Sequence, residues 1–152
     1  MRDHTKLRAF QLADKLALAV YKETAAFPGD ERFGLTSQVR RAAVSVASNI
    51  VEGCARNSEA DYLHFLDMAY GSARELEYQL SLGYRLAYLE RPHYEELSTT
   101  CRETCKVLSG LIRSLRSPRV TAPERIDELP SFLQPTAYSL QPSMSGRGGP
   151  PA

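Results

Sequence analysis

Ser45, Ser48, Asn49, Glu52 and Arg56 set two hydroxyls, an amide, a carboxylate and a guanidinium along one side of a helix turning about 100° per residue. Acyl and proton transfer use such groups, but a serine nucleophile needs a base beside it. Residues 34–57 contain no histidine, so this stretch encodes no nucleophile together with its base. The reading that fits the spacing is a buried polar network. Glu52 and Arg56 stand i,i+4 for pairing, Ser45 and Ser48 allow close helix approach, and Asn49 sets register at the edge of the apolar seam.

Metal chemistry meets a similar obstacle. Di-iron bundles use two Glu-x-x-His motifs and two further carboxylates. This chain offers Asp61-x-x-His64, with His64 off the apolar face, and Glu90-Arg91-Pro92-His93, broken by a proline at a helix boundary. Cys101 and Cys105 lie one turn apart, and Cys101 falls in an apolar seam where a thiol packs as a small hydrophobe. Gly146 to Gly149 follow no strand and form no phosphate loop. The expectation is a chain that is not an enzyme, with no catalytic residue, metal, cofactor or small-molecule substrate.

Charge and aromatic patterning point to binding instead. Arg8, Lys15 and Lys22 recur at seven-residue steps on one helix, and Arg102, Lys106, Arg113 and Arg116 cluster on another. On adjacent antiparallel helices these cations would contact phosphates of RNA or DNA without sequence preference and with strong salt dependence. Leu63, Tyr70, Tyr84 and Tyr88 form a second stripe beside an apolar face, together with Glu77. Tyrosines in such a stripe suit a subunit interface, whereas a base-stacking platform would want cations where Glu77 stands.

The elements that position these groups read as four helices. The central one spans residues 34–57, with Leu35, Val39, Ala42, Ala43, Val46, Ala47, Ile50 and Gly53 on one face; Val44 and Val51 make even its back partly apolar. Before it, a helix from Lys6 to Ala26 stops at Pro28-Gly29-Asp30. After it, Ser58 caps a helix of about 30 residues whose core face runs from Tyr62 to Ala87. Pro92 then opens the fourth helix, with Glu95 and Glu96 placed for its dipole and Leu97, Cys101, Thr104 and Leu108 along its seam. The predicted fold is all-α, an antiparallel up-down-up-down four-helix bundle over residues 1–116, followed by a Pro/Gly/Ser-rich, disordered tail over 117–152.

A chain of 152 residues, 43% hydrophobic, builds one core, and a net charge of +1 gives no whole-molecule field to draw nucleic acid or membrane. Three cysteines without a C-x-x-C, no charged-then-apolar leader and no run of membrane-spanning length predict a cytoplasmic protein.

The run Gly34-Leu35-Thr36-Ser37-Gln38, then Arg41-Ala42-Ala43-Val44-Ser45, then Asn49-Ile50-Val51-Glu52-Gly53 and Arg56, resembles the signature of the four helix bundle proteins encoded within intervening sequences of bacterial 23S rRNA genes. The similarity continues through Phe65-Leu66, Glu75-Leu76-Glu77 and Leu108 to Leu115, covering roughly residues 6 to 116; Cys54-Ala55 stands where an aromatic is common after the Glu-Gly pair. The resemblance implies a ring-like homopentamer in a family of undetermined biochemical role. It also implies kinship in fold with the accessory protein of diversity-generating retroelements, which partners a reverse transcriptase and nucleic acid. The functional expectation is a homo-oligomeric scaffold contacting RNA, or a nucleic-acid-handling partner, through basic faces of the first and fourth helices. The alternative is a structural protein-protein module without nucleic-acid binding.

Overall fold

The computed structural model describes residues 1–118. Four helices follow one another: α1 (Arg8–Thr24), α2 (Leu35–Cys54), α3 (Glu59–Arg85) and α4 (Arg91–Arg116), with short 3-10 turns at His4–Lys6 and Gly29–Glu31. No strand occurs among the described residues, and the fold is all-α. The expected tail lies outside this range apart from Ser117 and Pro118, which follow α4 without helical structure.

Local chemistry accounts for the boundaries. Leu7 is extended (φ −80, ψ 125), which separates α1 from a 3-10 turn whose leading Asp3 accepts the Thr5 N–H, so the first helix begins after Lys6. Ser58 accepts the Asp61 N–H at 3.0 Å and caps α3 as its residue type predicts. At the far end Ala87 adopts φ 62 and turns the chain, leaving Ala87 exposed, where the periodicity carries the core face to it, and placing Tyr88 of the second stripe beyond the helix. Because α4 begins at Arg91, Glu95 and Glu96 fall past its first turn, where the helix dipole has faded.

Each helix packs against two others in a closed ring: α1 on α2, α2 on α3, α3 on α4 and α4 on α1, with α2 against α3 the most extensive seam and no diagonal pair in contact. Short connections and this order make an antiparallel up-down-up-down bundle. Its core has two layers. Ala9, Ala13, Val46, Ile50, Leu66, Ala69, Leu108 and Ile112 belong to the first, and Leu16, Val20, Val39, Ala43, Leu76, Leu80, Leu97 and Cys101 to the second. Fully buried leucines and isoleucines such as these each contribute about 1.5–3 kcal/mol. Gly53 belongs to the close approach of α2 and α3: a Cβ there would lie 2.9 Å from Phe65 Cβ and 3.3 Å from Tyr62 Cδ2.

Candidate functional site

The polar side of α2 divides in two. Ser45 Oγ lies 2.9 Å from Ser72 Oγ of α3, and Asn49 Nδ2 donates to the Ser45 carbonyl oxygen at 2.9 Å and to Ser45 Oγ at 3.1 Å. These groups form a half-buried polar seam between α2 and α3. Glu52 and Arg56 pair with each other at 2.9 Å, but their side chains are 53% and 45% exposed, and no bond joins them to Ser45 or Asn49. The single buried network of four is thereby corrected to a seam that recruits Ser72 and a separate surface pair. The reason is position: Glu52 and Arg56 belong to the last turn of α2 and the residues just past it, where the Arg56 guanidinium rests 4.7 Å from the Phe65 ring instead of between helices. Ser48 is exposed.

Nor do the seven cations merge into one patch. Arg8 of α1 pairs with Glu103 of α4, so the flank where α1 and α4 meet carries an acid, and His93 Nδ1 lies 2.8 Å from Glu23 Oε2 along the same seam. The basic residues of α4 lean the other way, toward α3: Arg116 pairs with Asp67, and Arg102 Nε lies 3.5 Å from Glu77 Oε1. Lys106 and Arg113 line an open groove of about 540 Å³ between α3 and α4, with Tyr70, Arg74, Glu77 and Arg102. Among the described residues Lys15, Lys22, Lys106 and Arg113 have no carboxylate within ion-pair distance. The sequence reading missed Arg74, although its place three residues before Glu77 puts it one helical turn away, and their side chains meet at 3.4 Å.

All four residues of the second stripe have intrachain partners. Leu63 and Tyr70 pack against the first core layer. Tyr84 stacks on Tyr94 with ring centroids 4.6 Å apart and planes within 5°, and its hydroxyl accepts from Arg91 Nε at 3.3 Å. Tyr88 sits 5.5 Å from the Phe27 ring and donates to Glu31 Oε1 at 3.2 Å. The other Glu31 oxygen accepts the Leu35 N–H at 2.7 Å and so caps α2.

The thiols are inward-facing. Cys54, Cys101 and Cys105 are free and buried. Cys101 donates to the Ala73 carbonyl at 3.3 Å, and its interaction with the Cys105 thiol, followed by burial, holds it far above its ordinary pKa. Burial likewise raises Cys54 and its neighbour Tyr62. His64 is exposed, with its ring edge-on to Phe65. Among the described residues no three His, Cys, Asp or Glu side chains converge as a metal site would require, and no helix is long and apolar enough to cross a membrane.

What this arrangement offers is a polar helix seam and two sets of surface cations. The chain is similar to a protein of unknown function from the S23 ribosomal protein family of Bacteroides thetaiotaomicron, whose crystal structure it matches with TM-score 0.64 and 26% identity over 69% of this chain and 95% of that one. No curated protein matches it. Residues 5–110 match the family model for the 23S rRNA-intervening sequence protein, a span running from the turn before α1 almost to the end of α4. With α1, α2, α3, most of α4 and the α2 motif inside that span, the chain belongs to the 23S rRNA-intervening sequence protein family.

Proposed function

We propose that this protein is a non-catalytic, cytoplasmic scaffold that assembles with copies of itself, as a pentamer on the family resemblance, and holds RNA or a nucleic-acid-handling partner such as a reverse transcriptase. The observation that carries the reading is the set of uncompensated cations: Lys106 and Arg113 in the groove between α3 and α4, and Lys15 and Lys22 on α1. Arg8, Arg102 and Arg116 are committed to carboxylates and contribute less. Ammonium and guanidinium groups without partners attract phosphates and release counterions on contact, and a ring of subunits would add weak contacts together. Copies would meet through α3, where Leu63 and Tyr70 are half-buried and Tyr78 stands 61% exposed. Exposed Leu18 and Tyr78 also favour a second reading, a structural module whose partner is another protein.

Binding of duplex RNA and duplex DNA measured at two salt concentrations tests the proposal. The wild type should bind at low salt and weaken steeply as salt rises. A variant with Lys15, Lys22, Lys106 and Arg113 changed to Gln should lose about 0.9 in the log-log salt slope for each phosphate contact removed. Absence of binding at low salt, or equal binding by the variant, sinks the nucleic-acid reading. Light scattering addresses assembly separately, and a monomer at micromolar concentration would overturn it.

A further inference from the structure

A second hollow, about 660 Å³ and open to solvent, lies over the first turns of α2, away from the groove between α3 and α4. Tyr21 of α1, Arg32 and Phe33 of the connecting loop, Arg40 and Arg41 of α2, and Glu75 of α3 line it. Phe33 is 87% exposed, against 61% for Tyr78 and 48% for Tyr21. A phenylalanine ring standing in water contributes nothing to the core and offers its open ring surface to a planar partner.

The cations around it are arranged for use. Arg32 lies over the Phe33 ring at 5.4 Å. Arg40 is held in place, with its guanidinium 4.7 Å from the Tyr21 ring, Nε donating to Thr24 Oγ1 at 2.9 Å and a terminal nitrogen donating to the Tyr21 carbonyl at 3.5 Å. Among the described residues neither Arg32, Arg40 nor Arg41 has a carboxylate partner. Three carboxylates stand nearby, none within ion-pair distance of these guanidinium groups: exposed Glu75, which accepts from Gln79 at 3.0 Å, Glu31, which is bonded to the Leu35 amide and the Tyr88 hydroxyl, and exposed Asp30. Because Glu31 already caps α2, any attraction for anions in this hollow comes from the three guanidinium groups.

We infer that this hollow binds an unpaired nucleic-acid strand, with one base stacked on Phe33 and the flanking phosphates on Arg32, Arg40 and Arg41. The inference deepens the nucleic-acid reading and rests on it. An exposed ring interleaved with unpaired arginines is the arrangement by which single strands are held without sequence preference. A duplex, whose bases are already stacked, has no use for the ring, so the hollow and the groove divide unpaired and paired substrates between them.

The sequence contains no tryptophan, so Phe33→Trp in the full chain introduces a single indole at the stacking position. Titration with a uridine oligonucleotide of about twelve residues, a length within the range of one single-strand site, should quench that emission while keeping affinity close to wild type. Phe33→Ala, at a position too exposed to unfold the bundle, should weaken the oligonucleotide roughly 5- to 100-fold and leave duplex RNA binding unchanged. Arg41→Gln should lower the salt slope for the oligonucleotide by about 0.7. Polyglutamate of matching length serves as the charge control and should not quench. Unchanged single-strand affinity in Phe33→Ala, or equal quenching by polyglutamate, overturns the inference and leaves the groove reading standing. If the wild type binds neither single-stranded nor duplex nucleic acid at low salt, the wider reading falls with it.

Discussion

Gly53 shows how narrow the tolerance is between α2 and α3. A methyl group there would meet Phe65 Cβ at 2.9 Å, and that atom is fixed to the α3 backbone and cannot swing aside. Replacing a helical glycine with alanine ordinarily gains up to about 1 kcal/mol, but overpacking costs about 1–3 kcal/mol. The clash should win. Gly53→Ala is expected to destabilise the bundle by about 1–2 kcal/mol in urea unfolding, and an increase in stability would refute the close-approach account. On the same seam Asn49 bonds Ser45 within α2 and Ser45 bonds Ser72 of α3, which ties the register of α2 to Ser72 through a hydrogen bond as well as shape.

At the scale of elements, the connection between α3 and α4 stores strain. Ala87 holds φ 62, a left-handed conformation that costs a residue with a Cβ roughly 1–2 kcal/mol. Glycine takes it without that penalty, although it loses more chain entropy on folding. Ala87→Gly should therefore stabilise the fold by about 0.5–1 kcal/mol, read as a higher denaturation midpoint with an unchanged slope. The helices themselves were legible in the sequence because their apolar faces repeat at helical spacing: Val39, Ala43, Val46 and Ile50 were read as core and are buried. Two kinds of feature escaped that reading. The Ala87 turn has no glycine or proline to announce it, and Leu7 became extended through capping by Asp3, a local competition that periodicity does not register. The candidate surfaces were less legible still. Whether Arg102 and Arg116 are free depends on Glu77 and Asp67, more than twenty residues away in the chain, and whether Phe33 is covered depends on how one loop leaves the bundle.

For the whole molecule, the buried thiol and phenol of Cys54 and Tyr62 set an alkaline limit. Burial raises both above their ordinary values of 9.0 and 10.0, so the unfolded chain releases these protons first as pH climbs. Unfolding is then coupled to proton loss, and stability falls with rising pH. Their contribution is fully present below pH 9.0, where the unfolded thiol is still protonated, and is lost as pH rises through the folded values. Denaturation midpoints should hold up to about pH 9 and decline above it, less steeply in Cys54→Ala. A flat profile in the wild type would contradict the burial of these groups.

The closed ring of helix contacts, with no diagonal pairs, also dictates how the chain can assemble. Three of its four seams join helices adjacent in sequence, and each needs only a short connection to bend back on itself. The fourth, between α1 and α4, must bring together segments that begin about 80 residues apart, so it carries the largest single loop-closure cost of the fold. Such a topology has low contact order and suits rapid, hairpin-by-hairpin folding, with the α1 and α4 seam closing last.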